Sequence, residues 1–188
     1  MNTRFTRSLD LVAAISGLIL SSPVLAVILI AGAVENGSPI FLQKRVGKHR
    51  RPFVLVKFRT MPINTASVGT HLADSSSIRP LGRFLRRTKL DELPQLINVL
   101  KGEMSLVGPR PCLPNQKELI HEREQRGVYR VLPGITGLAQ VNNIDMSTPQ
   151  TLAEWDQRMI ETFSMGAYLK YILQTAIGQG GGDRVAPS

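Results

Sequence analysis

Asp91 and Glu92 are adjacent carboxylates set in the most basic neighbourhood of the chain. Arg79, Arg83, Arg86, Arg87 and Lys89 precede them, and Lys101 and Arg110 follow. An acid at the start of a helix is ordinarily a cap. Two acids ringed by cations also suit a ligand more negative than themselves, such as a diphosphate, with one acid as nucleophile or metal ligand. Either role needs an ionised carboxylate, and the residues that follow provide for it. Leu93, Leu96, Ile97 and Leu100 fall at i, i+3, i+4 and i+7, which predicts a short amphipathic helix. Pro94 suits its first turn and Gly102 its end. The acids then sit at or just before a helix N-terminus, where unpaired N–H groups and the helix dipole favour anions.

Several other elements must bring charge to that point. Ser38–Val46 and Phe53–Phe58 are β-branched or aromatic runs separated by the turn-like Gly47–Pro52, which predicts a basic β-hairpin. Lys57 and Arg59 close it with two cations on one strand face; a solvated edge strand is the plainer alternative. Met61 to Ser77 is small and polar, broken by Pro62 and Gly69, and is expected to be a mobile loop in which His71 has no ligand partner. Between Arg79 and Leu90, Leu81, Phe84 and Leu85 share one face and the arginines the other, as on a helix lying in a membrane interface or on an ordinary surface helix. Gly108-Pro109-Arg110-Pro111 is rigid and extended, fit to hold a guanidinium for bidentate phosphate contact. Leu113–Arg126 reads as a polar surface helix. Leu132–Gln140 reads as a turn whose two glycines admit backbone N–H groups to a ligand. Leu152, Trp155, Met159 and Phe163, then Tyr168, Tyr171 and Ile172, keep helical spacing and are expected to pack. The glycine-rich tail after Gly178 is expected to be flexible.

Leu11 to Val34 contains no charged residue. As a straight helix it would reach about 36 Å, enough to cross a bilayer core. A signal peptide, a spanning helix and a re-entrant hairpin compete for this segment. Two features favour the hairpin. Ser21-Ser22-Pro23 falls mid-run, where Pro23 cannot donate to the carbonyl of Ile19 and a serine hydroxyl can replace it. Basic residues also flank both ends: Arg4 and Arg7 before, Lys44, Arg45, Lys48, Arg50 and Arg51 after. That arrangement frustrates a span and suits entry and exit on the cytoplasmic face.

At 188 residues the chain fits one domain with an appendage. Its net charge of +9 calls for a polyanionic partner. Aromatic residues make up only 5%, which argues against base stacking and hence against nucleic acid. The single Cys112 excludes an internal disulfide, fits a reducing compartment and is read as structural.

These residues, in this order, resemble the bacterial sugar transferase family, in its small monotopic phosphoglycosyl transferase form. The resemblance rests on Lys44-Arg45-Val46-Gly47, Lys57-Phe58-Arg59-Thr60-Met61, the long block from Leu81 to Leu96, Gly102 to Pro111 and Pro133-Gly134-Ile135-Thr136-Gly137. It implies transfer of a sugar-1-phosphate from a UDP-sugar to polyprenyl phosphate, with release of UMP and with Mg²⁺. Carried onto this chain, Asp91 is the nucleophile that forms a phosphosugar–aspartyl intermediate, and Glu92 is its partner and a Mg²⁺ contact, with Asp91 a second candidate ligand. Arg86, Arg110, Lys57 and Arg59 match phosphate- and nucleotide-binding positions, and Ser22-Pro23 the break in the membrane helix. Asp156 matches an acidic position of the family's C-terminal helix. The chain departs from the family after Val141, where Asn142–Ser147 replaces an Asn-Gly-Arg run, so the sugar is left open.

The implied architecture is α+β and mostly helical. A re-entrant membrane helix-hairpin occupies residues 1–36, and a catalytic domain occupies 37–188 on the cytoplasmic face of the bacterial inner membrane. That domain carries a small basic β-hairpin and interfacial amphipathic helices around the active site. The implied partners are UDP-sugar, polyprenyl phosphate and membrane lipid, with the oligomeric state open and a homodimer among the options. Two rival readings use the same residues: a non-enzymatic binder of anionic lipid or nucleic acid, and a single-pass protein with an extracytoplasmic domain.

Overall fold

A computed structural model of the chain describes residues 1, 3–63 and 78–180. Most of the expected Met61–Ser77 loop, with His71, and the tail from residue 181 lie outside the described residues. The fold is mostly helical with two small sheets.

The apolar segment forms a single helix, α1 (Arg4–Asn36), started by a capping box between Thr3 and Thr6 and ended by Gly37 in the left-handed conformation. The helix is continuous through Ser22-Pro23, the expected break of the helix-hairpin. The serines account for this. Ser22 Oγ donates to the Ile19 carbonyl at 2.8 Å, the acceptor that Pro23 cannot serve, and Ser21 Oγ donates to the Gly17 carbonyl at 2.6 Å. α1 is long and apolar enough to cross a membrane. One of its faces, however, is buried at Thr6, Asp10 and Ala14 and again at Ile28 and Gly32, and half-buried at Leu18, Ser21 and Leu25 between them, while Val12, Leu20 and Ile30 on the other are exposed. Both ends are fastened to the same body. Arg7 donates to the carbonyls of Leu100 and Met104, and Arg79 donates to the Glu35 carbonyl.

Strands β1 (Ile40–Val46) and β2 (Pro52–Phe58) form the expected antiparallel hairpin, with Ile40 opposite Phe58 and Val46 opposite Pro52. Helix α3 (Gln95–Lys101) lies against β2 and is ended by Gly102. Asn98, fully buried, docks the two. Its amide donates to the Val54 carbonyl at 2.7 Å and its oxygen accepts from Val56 N–H at 3.0 Å, so the side chain stands in for a neighbouring strand. Ala14 of α1 joins Phe53, Leu55, Leu96, Val99 and Met104 in one cluster. Ile28 joins Phe58 and Leu85 in another. The core therefore runs across the boundary expected at residue 36.

Helix α2 (Pro80–Thr88) buries Leu85, half-buries Leu81 and leaves Phe84, Arg83 and Arg87 exposed. Gly82 lets α2 settle on the end of β2, because a Cβ there would stand 2.1 Å from the Thr60 carbonyl oxygen.

Beyond α3 the chain departs further from the sequence pattern. β3 (Ser105–Val107) pairs in parallel with β4 (Gly134–Thr136), each too short to show a period of two. The expected Leu113–Arg126 helix is confined to α4 (Lys117–Gln125), since Leu113 N–H is taken by the Gln116 side chain and Pro114 sits in the turn. α4 is also less of a surface element than its polarity suggests, with Leu119 and Arg123 buried. The turn after β4 rises into the short α5 (Leu138–Val141). The helical spacing from Leu152 to Ile172 belongs to two helices, α6 (Pro149–Glu161) and α7 (Met165–Ala176), because Ser164 caps the second by accepting from Ala167 N–H at 3.1 Å. Cys112 is buried, as a structural residue should be.

Candidate active site

The two acids sit in a 3-10 turn, Leu90–Glu92, wedged between α2 and α3. The turn is set by Lys89, which ends α2 in the left-handed conformation (φ 57°) and redirects the chain. Both acids are buried, Asp91 at 4% and Glu92 at 7% exposed. Glu92 is not simply a helix cap. Its Oε1 lies 2.7 Å from Arg110 Nη2 and 3.6 Å from Lys57 Nζ. Lys57 is itself buried on β2, so strand, turn and the loop after β3 meet on one carboxylate.

Arg110 is held by its main chain as well as by its charge. Five consecutive carbonyls, from Gly108 to Cys112, each accept a hydrogen bond from a different place. The donors are Gln140 Nε2 to Gly108, Gly134 N–H to Pro109, Arg123 Nη1 to Arg110, Arg45 Nη1 to Pro111 and Val46 N–H to Cys112, at 3.2, 3.0, 2.8, 2.9 and 2.9 Å. The prolines that stiffen this segment cannot donate, so its order is imposed from outside.

The remaining expected residues divide. Arg86, on the last turn of α2, donates from Nε to Thr60 Oγ1 at 2.9 Å. Arg59 donates to the carbonyls of Ser38 and Ile40 at 2.9 and 3.0 Å, and its guanidinium stacks 5.4 Å from the Phe41 ring centre. It clasps the open end of the β-hairpin, whereas Lys57 reaches Glu92. Ser22 and Pro23 lie on the exposed side of α1. Arg45, counted with the basic flank of the apolar segment, is instead buried, bonded to Gln43 Oε1 and the Pro111 carbonyl.

Three features were not assigned from sequence. Gln95 is buried and packs in one group with Arg45, Leu55, Lys57, Arg110 and Pro111. Its place in the Leu93-Pro94-Gln95-Leu96 run was the available signal. Lys89 Nζ donates to the Gln179 carbonyl at 2.6 Å. Burial lowers its ammonium pKa from the ordinary value, with Glu92 opposing and Arg110 adding to the lowering. Arg123 and Asp156, both buried, form an ion pair of 2.7 Å between α4 and α6.

No group of three acidic, histidine or cysteine side chains gathers as a metal cage among the described residues. Asp91 and Glu92 fit a hard cation that takes most of its oxygens from phosphate and water, as Mg²⁺ does.

The chain matches the model of a family described as bacterial sugar transferase over residues 1–179. It is 40% identical, over 170 residues, to an uncharacterized sugar transferase, EpsL, of Bacillus subtilis, covering 90% of this chain and 84% of that one. It is 40% identical over 145 residues to an undecaprenyl-phosphate glucose phosphotransferase of Komagataeibacter xylinus, with 72% of this chain and 27% of that protein covered. It is 38% identical over 169 residues to a UDP-glucose:undecaprenyl-phosphate glucose-1-phosphate transferase of Escherichia coli, with 85% and 35% covered. The chain thus spans most of the Bacillus protein, about a quarter of the Komagataeibacter protein and about a third of the Escherichia coli one.

Proposed function

The chain belongs to the bacterial sugar transferase family, and we propose that it transfers a sugar-1-phosphate from a UDP-sugar to polyprenyl phosphate, releasing UMP, in the first membrane step of glycoconjugate assembly. The names of the glucose-phosphate transferases of Komagataeibacter xylinus and Escherichia coli support this reaction class. One observation carries the reading. A buried pair of neighbouring carboxylates is met by Arg110 and Lys57, cations delivered by two otherwise separate elements.

In the proposed reaction an Asp91 oxygen attacks the sugar-bearing phosphorus of the donor. A new O–P bond forms as the bond from that phosphorus to the UMP oxygen breaks, and UMP leaves with the electron pair. A polyprenyl phosphate oxygen then attacks the same phosphorus, and the Asp91 carboxylate departs unchanged. The UDP-sugar and the polyprenyl phosphate, both anions, therefore never have to react with one another. Arg110 and Lys57 lie where charge builds on the phosphoryl oxygens. Entry of the donor exchanges the Arg110–Glu92 contact for an Arg110–phosphate contact, and burial of Asp91 shields the acyl phosphate from water. Mg²⁺, held by Glu92 with Asp91 as a second ligand, would neutralise phosphate charge when bound.

The acceptor is a lipid, so the site must ride at a membrane. α1 supports a monotopic, re-entrant anchorage on the cytoplasmic face of the inner membrane over a spanning one. Both of its ends bond to one folded body, and both its first half, at Ala14, and its second half, at Ile28, enter that body's core, which a helix crossing the bilayer away from its domain would not do. The exposed apolar side of α1 is left for lipid. Release of UMP, measured across a panel of UDP-sugars with polyprenyl phosphate and Mg²⁺, tests the function. Absence of UMP release with every donor would sink it.

A further inference from the structure

The Arg123–Asp156 pair is an expensive way to join α4 to α6. Both side chains are buried, with 2% and 0% side-chain exposure, and Asp156 Oδ1 has no hydrogen-bond partner among the described residues. A buried pair with an unpartnered oxygen is a weak stabiliser, since desolvation offsets much of its attraction. Its geometry serves something else. Asp156 Oδ2 accepts a hydrogen bond from Arg123 Nε at 2.9 Å and lies 2.7 Å from Nη2 as an ion-pair contact without hydrogen-bond alignment, which orients the guanidinium. The remaining nitrogen, Nη1, then points at the Arg110 carbonyl, 2.8 Å away. Arg110 is the residue whose side chain reaches Glu92.

We infer that Arg123, oriented by Asp156, is a positioning residue for Arg110, fixing the backbone from which the Arg110 guanidinium reaches the transferred phosphoryl group. The inference rests on the proposed function for its kinetic consequence but not for its structural one. Of the five donors that splint Gly108–Cys112, Arg123 holds the carbonyl of the acting residue itself. A planar guanidinium that bonds Asp156 through Nε and Arg110 through Nη1 is better suited to this than a flexible ammonium.

Replacing both partners, Arg123→Met with Asp156→Leu, removes the donor without stranding a buried charge, and such replacements are commonly tolerated by the fold. The expected result is a kcat for UMP release lower by about ten- to a hundred-fold, with KM for the UDP-sugar little changed. In an Arg110→Ala background the same pair of substitutions should change kcat by less than about twofold, because residues acting through one another are not additive. Arg123→Lys, which keeps a cation for Asp156 but not the fork, should give the same pattern, so the test does not hang on one variant folding. Exchange of the Gly134 and Val46 amides, which donate to Pro109 and Cys112 on either side of Arg110, should quicken in either variant, whatever the activity. An undiminished kcat, an equal loss in both backgrounds, or unaltered exchange at those two amides overturns the inference. A parent chain inactive with every UDP-sugar would sink the proposed reaction instead and leave the exchange result to decide the positioning role.

Discussion

Arg110 Nη2 and Glu92 Oε1 stand 2.7 Å apart, joining the turn before α3 to the loop after β3. The contact stations a cation on the residue next to the proposed nucleophile before any substrate arrives. Arg110→Ala should lower kcat by about 10²–10³, the range for removing one pre-placed donor to a developing anion. Arg110→Lys should recover only part of this, since an ammonium lacks the fork. UMP release measures both, and a lysine variant with parental kcat would show that charge alone suffices.

Asp91→Asn should abolish UMP release and covalent labelling of the protein by donor carrying a labelled sugar. Glu92→Gln should keep some turnover but weaken its dependence on Mg²⁺. Full turnover by the Asp91 variant would remove the covalent mechanism while leaving the family assignment intact.

Gly82→Ala tests how tightly α2 must sit on β2. The added methyl would meet the Thr60 carbonyl oxygen and carbon at 2.1 and 2.8 Å, and backbone yields poorly. A loss of about 1–3 kcal/mol in unfolding free energy is expected, as for overpacking generally. Activity should fall too, because Arg86 depends on the same approach for its bond to Thr60. Chemical denaturation of the two proteins decides it.

The anchor makes a topological prediction. Single cysteines placed at positions 3 and 65, in a Cys112→Ala background, should be labelled by an impermeant thiol reagent from the same side of the membrane. Labelling from opposite sides would establish a spanning helix.

Stability should fall in alkali. Burial raises the phenol pKa values of Tyr129, Tyr168 and Tyr171 above the ordinary 10, the Asp10 hydrogen bond and charge adding to the effect at Tyr168. Above about pH 10 the unfolded chain releases phenolic protons that the folded chain keeps, so folding loses up to about 1.4 kcal/mol per pH unit for each. Below that pH the contribution is fully present. Tyr168→Phe should flatten the decline by one proton's worth while lowering neutral-pH stability by about 1–3 kcal/mol, because Asp10 loses a donor. Unfolding curves from pH 8 to 11 compare the slopes.

Local chemistry was readable in the sequence where a residue's neighbours along the chain decide its conformation. Gly102 ended α3, Gly47–Pro52 turned the hairpin, and the serine hydroxyl beside Pro23 met the Ile19 carbonyl. What escaped was set by contacts across long separations. The parallel β3–β4 pairing joins two three-residue strands, too short to carry a pattern. Arg45, Arg59 and Arg123 look alike as surface cations in a basic chain, and only tertiary packing turns their guanidinium groups to main-chain carbonyls. The Asp91–Glu92 turn was legible as a site because its cations cluster in sequence, yet its contacts with Lys57 and Arg110 needed the fold.

Because α1 is lashed to the body at Arg7 and again at Glu35, it cannot tilt on its own. On the proposed membrane, the depth at which Leu20 and Ile30 settle dictates the height at which the carboxylates float above the lipid. Thickness of the surrounding leaflet would then tune how far a polyprenyl headgroup must climb to be used.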